Sequence, residues 1–283
     1  MTGARSDHVL SMATVAMTPD LDPEISRQRI GQAVERVIDA HPDVRLILFG
    51  ETILGWFYRK GETAAYHRRI AEPISGPSAE YVARLAQKHD VYISFGLSER
   101  DGDALFNTQL LIDPSGEIIA THRKFWIRNR VFTAGERRLT TAKVDRAHIA
   151  LLICADARSF WLLRAIRRAR VDVVLASLAD YGTSLRLNRV LGTFFDAWTI
   201  VANRYGEEPP LTWHGLISMT DRLGRLRGSS VGREGFVYQR VPIGQTGPIG
   251  RASRRFCAVG AALGFAAAYL GERFAAKLRR STD

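Results

Sequence analysis

Short apolar runs separated by polar turns dominate this chain of 283 residues. Residues 9–17, 46–49, 91–97, 109–112, 118–121, 148–153, 173–178, 199–202, 216–220 and 236–241 are rich in β-branched or aromatic side chains and predict strands. A helical period takes over in 24–40, where Ile25, Ile30, Val34 and Ile38 share a face. It returns in 78–89 through Tyr81, Val82, Leu85 and Ala86, with Pro77 suited to a first helical turn. In 162–170 the apolar Leu162, Ala165, Ile166 and Ala169 lie opposite Arg164, Arg167, Arg168 and Arg170, the wet face of an amphipathic helix. From Asn107 to Ile118 the order is strand, Asp113-Pro114-Ser115-Gly116 turn, strand, which is a hairpin. Strands and helices mixed in this way predict a layered α/β domain of about 240 residues.

The pattern changes beyond residue 243. Residues 244–250 have the composition of a flexible connector, so 1–243 are expected to form the body and 251–283 a helical tail. Within the tail, 256–271 is nearly all apolar and falls just short of the ~17–25 residues of a membrane-spanning helix. Gly260 and Gly264 would allow close helix approach. Three readings fit it: packing on the body or on a second subunit, contact with a membrane surface through its basic flanks, or a span.

Composition narrows the class. An apolar fraction of 46% with 24% charged residues is that of an ordinary globular protein. The net charge of +11 is concentrated in the tail and on the 162–170 helix, without interleaved stacking aromatics, so nucleic acid is not an expected partner. Two cysteines, Cys154 and Cys257, exclude a disulfide framework and suit a reducing compartment. The polar start, residues 1–7, is not followed by a signal-type apolar stretch, so a cytoplasmic body is expected. His8, His41, His67, His89, His122, His148 and His214 are scattered without ligand spacing, and neither metal nor organic cofactor is expected.

Candidate chemistry lies at the exits of three apolar runs: Glu51, Lys124 and Cys154. Strand C-termini in α/β layers collect at one edge, where sites are commonly built. A thiol attacking an amide or nitrile carbon must lose its proton, and a neighbouring carboxylate can take it. An ammonium and a backbone N–H, here that of Ala155, can then stabilise the tetrahedral oxyanion. Each residue alone also has a plain reading as loop carboxylate, surface lysine or small buried hydrophobe.

These segments resemble the nitrilase superfamily, the carbon–nitrogen hydrolases with a Glu-Lys-Cys triad. Residues 46–52 are similar to its apolar-run-Pro-Glu-Thr. Phe106-Asn107-Thr108 through Gly116-Glu117-Ile118 to His122-Arg123-Lys124 is similar to its Tyr-Asn-Ser, Asp-Gly-Glu and Tyr-Arg-Lys stretch. Leu152-Ile153-Cys154-Ala155-Asp156-Ala157-Arg158 resembles its Ile-Cys-Tyr-Asp-x-Arg, and 201–206 and 215–224 match later landmarks. The resemblance spans roughly residues 9–241. It implies a four-layer α-β-β-α sandwich that commonly pairs through outer helices, with Glu51 as general base, Lys124 as stabiliser and Cys154 as nucleophile.

Four departures stand out. Gly50 replaces the usual proline, loosening the turn that aims Glu51. Arg128-Asn129-Arg130 stands where the family often has a second glutamate. Leu191–Phe195 replaces the Arg-Ala-x-Glu-Asn helix end. Arg158-Ser159-Phe160-Trp161 replaces Arg-Phe-Pro-Glu. An arginine at 128 would lower the thiol pKa and attract an anion, unless it is simply surface charge. Trp56, Trp126, Arg128 and Arg158 are candidate substrate contacts, and Phe57, Tyr58, Phe160 and Trp161 could join them or pack in the core. The expected activity is hydrolysis of a small linear amide through a Cys154 thioester, in a homodimer or larger homo-oligomer. Transfer of the acyl group to an amine, or an idle scaffold that keeps the fold, are the alternatives.

Overall fold

The computed structural model describes residues 8–127, 131–180 and 186–244. Thirteen strands form its framework. The first sheet runs β13-β1-β2-β3-β4-β5, built from β1 (His8–Met17), β2 (Leu46–Leu48), β3 (Tyr92–Asp101), β4 (Ala104–Ile112), β5 (Ile118–Arg123) and β13 (Gly235–Ile243). The second runs β6-β7-β8-β9-β11-β12, from β6 (Thr141–Val144), β7 (Ala147–Ile153), β8 (Val173–Ser177), β9 (Trp198–Glu208), β11 (Ile217–Thr220) and β12 (Leu226–Ser230). Strand β10 (Leu211–His214) folds back on the end of β9. The sheets join where β1 meets β9 in parallel, at Ala16–Asn203 and Met17–Arg204, and Thr14 Oγ1 donates to the Val201 carbonyl at 2.8 Å.

Alternation along the central strands explains the layers. Leu10 and Met12 of β1, Leu46 and Leu48 of β2, Ile149 and Leu151 of β7, and Val173 and Leu175 of β8 fill the core between the sheets. Their neighbours point the other way. Ala13, Val15 and Ile47 pack beneath α1 (Pro23–Ala40) and α3 (Pro77–His89), while Ala150, Leu152, Val174 and Ala176 pack with residues of α4 (Phe160–Ala169) and α5 (Arg186–Phe195). Both faces are buried, so these strands read as continuous apolar runs. The result is the α-β-β-α sandwich that the resemblance implied.

The three anticipated helices match α1, α3 and α4, and the 107–118 hairpin is β4, turn and β5. Asp113 shapes that turn by accepting from the N–H groups of Ser115 and Glu117, and Gly116 takes φ +87° there. Strands β6, β10 and β12 and helix α2 (Thr63–Ile70) were not anticipated. They are short, and half-exposed β12 offers no apolar run to detect. Among the described residues no helix is long and apolar enough to cross a membrane. The expected connector beyond Gly244 and the tail lie outside the described residues, as do Arg128 and Cys257.

Candidate active site

Three strand ends converge as expected. Strands β2 and β5 run in the same direction within the first sheet, since β4 reverses once between β3 and β5, and β7 runs parallel to β8 in the second. Glu51 follows β2 through Phe49-Gly50, Lys124 follows β5 directly, and Cys154 follows β7 directly.

Glu51 is fully buried and every carboxylate oxygen is engaged. Its Oε1 accepts from Lys124 Nζ at 2.6 Å and from Asn107 Nδ2 at 2.6 Å. Its Oε2 accepts from the Ala179 N–H at 2.9 Å, and its own N–H donates to the Leu178 carbonyl at 3.2 Å. Burial opposes the Lys124 charge, but the adjoining Glu51 carboxylate outweighs it and holds the ammonium above the ordinary lysine range. The Lys124 backbone is pinned too. Its N–H donates to the Asn107 carbonyl at 2.8 Å, and its carbonyl accepts from Gly135 at 2.9 Å. Gly135 is required there, since a Cβ would stand 2.4 Å from the Arg123 carbonyl oxygen.

Cys154 opens a 3₁₀ turn (Cys154–Arg158) with φ +39°, a left-handed backbone that a cysteine rarely adopts. The residue keeps partial access to solvent. Burial first, and then the Glu51 charge, push its thiol up to about 12, against the Lys124 ammonium and an Ala179 N–H bond that pull the other way. At neutral pH the thiol therefore holds its proton. Two residues on, Asp156 is fully buried and joins the Cys154 turn to the lysine segment. Its Oδ2 accepts from His122 Nε2 at 3.0 Å and its Oδ1 from the Trp126 N–H at 2.8 Å.

The Glu51 loop is held from behind by β9. Thr52 has φ +43°, and Arg204 Nη1 contacts its carbonyl at 3.5 Å and its Oγ1 at 3.2 Å. Gly96 of β3 lets the loop settle on the sheet, because a Cβ there would lie 2.4 Å from the Thr52 nitrogen. Gly50 has backbone of Leu178, Asn203 and Arg204 within 3.1–3.2 Å of where its Cβ would be, so this turn is tightly packed despite lacking proline.

Glu51, Lys124 and Cys154 are thus brought together. Ala155 is the second residue of the Cys154–Arg158 turn. Trp56 and Trp126 stand on the segments leaving Glu51 and Lys124, with the Trp56 N–H bonded to the Tyr66 hydroxyl at 3.0 Å. Trp126 is 36% exposed, and Arg158 is exposed at the end of the 3₁₀ turn. The sequence reading missed Asn107, Ala179, Arg204 and Asp156 as functional candidates. Asn107, Asp156 and Arg204 sit inside the recognised blocks, so that signal was available. Nothing local marks Ala179, whose N–H matters only through tertiary placement. Among the described residues, no group of three or more His, Cys, Asp and Glu side chains could hold a metal ion.

The family model described as carbon-nitrogen hydrolase matches residues 11–229, which carry this carboxylate, ammonium and thiol on the two-sheet sandwich. The chain belongs to that family. Among curated relatives, a formamidase of Bacillus cereus (strain Q1) is 26% identical over 185 residues, 63% of this chain and 54% of the relative. An (R)-stereoselective amidase of Pseudomonas sp is 28% identical over 138 residues, 48% of each chain. The chain spans about half the length of these relatives. Among solved structures, Saccharomyces cerevisiae Nit3, of branch 10 of the nitrilase superfamily, shares the fold at a TM-score of 0.77 and 17% identity, covering 85% of this chain and 93% of that one. An amidase variant from Nesterenkonia sp. AN1, with the acetamide moiety of fluoroacetamide added to its active-site cysteine, gives 0.73 and 19% identity, covering 84% and 92%.

Proposed function

We propose that the protein hydrolyses a small linear amide through a thioester on Cys154. The observation that carries this reading is the fully buried Glu51 carboxylate, 2.6 Å from Lys124 and close enough to Cys154 for its charge to raise the thiol. Family membership and the formamidase and amidase relatives support the choice of an amide.

In the proposed sequence Cys154 Sγ attacks the amide carbon while Glu51 takes the thiol proton, so no free thiolate need accumulate. Negative charge gathers on the former carbonyl oxygen, where the Lys124 ammonium and the Ala155 N–H stabilise it. Glu51 returns the proton to the leaving nitrogen, the C–N bond breaks, and ammonia or an amine departs from the thioester. Water then attacks the thioester with Glu51 as base. The acid leaves and Cys154 regains its proton. Trp56, Trp126 and Arg158 are proposed to line the substrate's approach.

Ammonia release from formamide, acetamide, propionamide and butyramide tests the reading, with intact-mass detection of the acyl-enzyme. Wild type should turn over at least one amide, and Cys154→Ala none. Added hydroxylamine separates hydrolysis from transfer: a hydroxamate formed faster than the acid would favour the amine-accepting alternative. Absence of both ammonia and adduct across the panel would sink the enzyme reading.

A further inference from the structure

A buried ion pair near the site takes no part in the chemistry just described. Arg204 and Glu208, both on β9, are at most 1% exposed and pair with each other. Such pairs seldom add net stability, because desolvating two charges cancels most of their attraction. This one also leaves Arg204 Nε without an acceptor among the described residues. Its contacts suggest another purpose. The guanidinium reaches the Glu51 carbonyl at 3.4 Å, the Thr52 carbonyl and hydroxyl, and the Gly55 carbonyl at 2.5 Å. Every one of those acceptors lies in the five residues that begin with Glu51. Glu208 Oε2 meanwhile accepts from the N–H groups of Phe57 at 2.7 Å and Tyr58 at 3.3 Å, holding the same loop farther along. The Phe57 and Trp213 rings flank the guanidinium at 5.7 and 5.2 Å and fix its plane.

We propose that Arg204 is a positioning residue for the base: its guanidinium, locked by Glu208, holds the left-handed turn at Thr52 and so sets the direction in which Glu51 presents its carboxylate to Cys154. Gly50 makes this support necessary. A proline would restrict the entry to the turn through its fixed φ, whereas glycine leaves that entry to be held from outside. The neighbouring Asn203 completes the arrangement. Its Oδ1 accepts from the Arg204 N–H at 2.9 Å and the Asp180 N–H at 3.1 Å, and its Nδ2 donates to the Asp180 carbonyl at 2.8 Å. That steadies the segment whose Ala179 N–H holds Glu51 Oε2. The end of one strand thus grips both loops around the base.

The inference rests on Glu51 being the base, and a double-mutant cycle separates the two claims. Arg204→Lys keeps the charge but loses the planar fork; it is made alone and with Glu51→Gln. The first readout is the rate of Cys154 alkylation by iodoacetamide at pH 9, which follows the thiolate fraction. Removing the Glu51 charge should speed alkylation, by about tenfold for each unit the thiol falls. If Arg204 aims Glu51, Arg204→Lys should speed alkylation ~3–10-fold alone and leave the Glu51→Gln rate unchanged within about twofold. The second readout is amide turnover, where Arg204→Lys should lower kcat about tenfold or more with KM nearly constant. Should Arg204→Lys not fold, Glu208→Gln, which keeps an acceptor for Phe57, should give the same pattern at smaller size. Equal changes in both backgrounds, or none where Glu51→Gln alone has an effect, would overturn the proposal. If Glu51→Gln itself changes neither rate, the assignment of the base fails instead.

Discussion

Glu51 and Cys154 leave their strands in similar ways, Glu51 just before the left-handed Thr52 and Cys154 itself left-handed, yet the fold treats them differently. The carboxylate is fully buried, with both oxygens engaged by donors from Lys124, Asn107 and Ala179. The Cys154 residue keeps some exposure although its thiol is buried, and the contact that favours its ionised form, apart from the Lys124 charge, is a single backbone N–H. The difference teaches a division of labour. In the proposed reaction, the group that would move a proton in each direction is held rigidly, while the group that would form and break a bond is left protonated on a residue with partial exposure. Pre-organisation is thus concentrated on the proposed base.

The sharpest way to break this comparison is at Glu51 itself. Glu51→Gln keeps the shape and removes the base, so amide turnover should fall by ~10²–10⁴, measured as ammonia release. Near-normal turnover would mean that this fully buried, three-donor carboxylate is only structural. Next in size comes the tie between the two halves. Asp156→Ala leaves His122 and the Trp126 N–H without their acceptor, and should destabilise by ~3 kcal/mol in urea unfolding.

A third test uses pH. His67 is fully buried behind the Glu51 loop, its Nε2 donating to the Phe57 carbonyl at 3.0 Å and its Nδ1 accepting from Ser98 Oγ at 2.8 Å. Burial lowers its pKa from 6.5 to about 4. The unfolded chain therefore binds this proton first on acidification. The associated stability is complete above pH 6.5 and is lost as pH falls through 4, amounting to about 3 kcal/mol at 1.36 kcal/mol per unit. His67→Gln should flatten that part of the stability profile, and an unchanged slope between pH 6.5 and 4 would rule it out as the source.

The thiol provides the fourth test. With Cys154 pushed up to about 12, alkylation of the wild type by iodoacetamide should keep rising about tenfold per pH unit beyond pH 9, whereas an unperturbed cysteine levels off. The smallest effect is expected at Gly50→Ala. Its added carbon would crowd backbone within 3.1–3.2 Å, costing about 1 kcal/mol, visible as a small drop in Tm.

Much of this was legible in the residues. The apolar runs of β1, β2, β7, β8 and β9 announced strands because both their faces are buried, and the blocks around Asn107–Lys124 and Cys154–Arg158 carried the family. Short and half-exposed elements such as β10 and β12 escaped, since they owe their form to the strands they pair with. Of the named site residues, Glu51, Lys124 and Cys154 meet, and Ala155, Trp56, Trp126 and Arg158 surround them in sequence and on the adjoining segments. Arg204 lay inside the recognised 201–206 block without a role read for it, and Glu208 was not singled out. Their burial follows from where β9 crosses behind the Glu51 loop, which no local pattern records.

By itself the sequence determined the layer pattern, the three reactive groups and the strand ends that deliver them, because alternation and turn chemistry act over a few residues. Only the tertiary structure decided which groups hold which. A hydrogen bond from Ala179 to Glu51, or from Arg204 to the turn at Thr52, joins positions more than a hundred residues apart, and depends on two sheets meeting along β1 and β9.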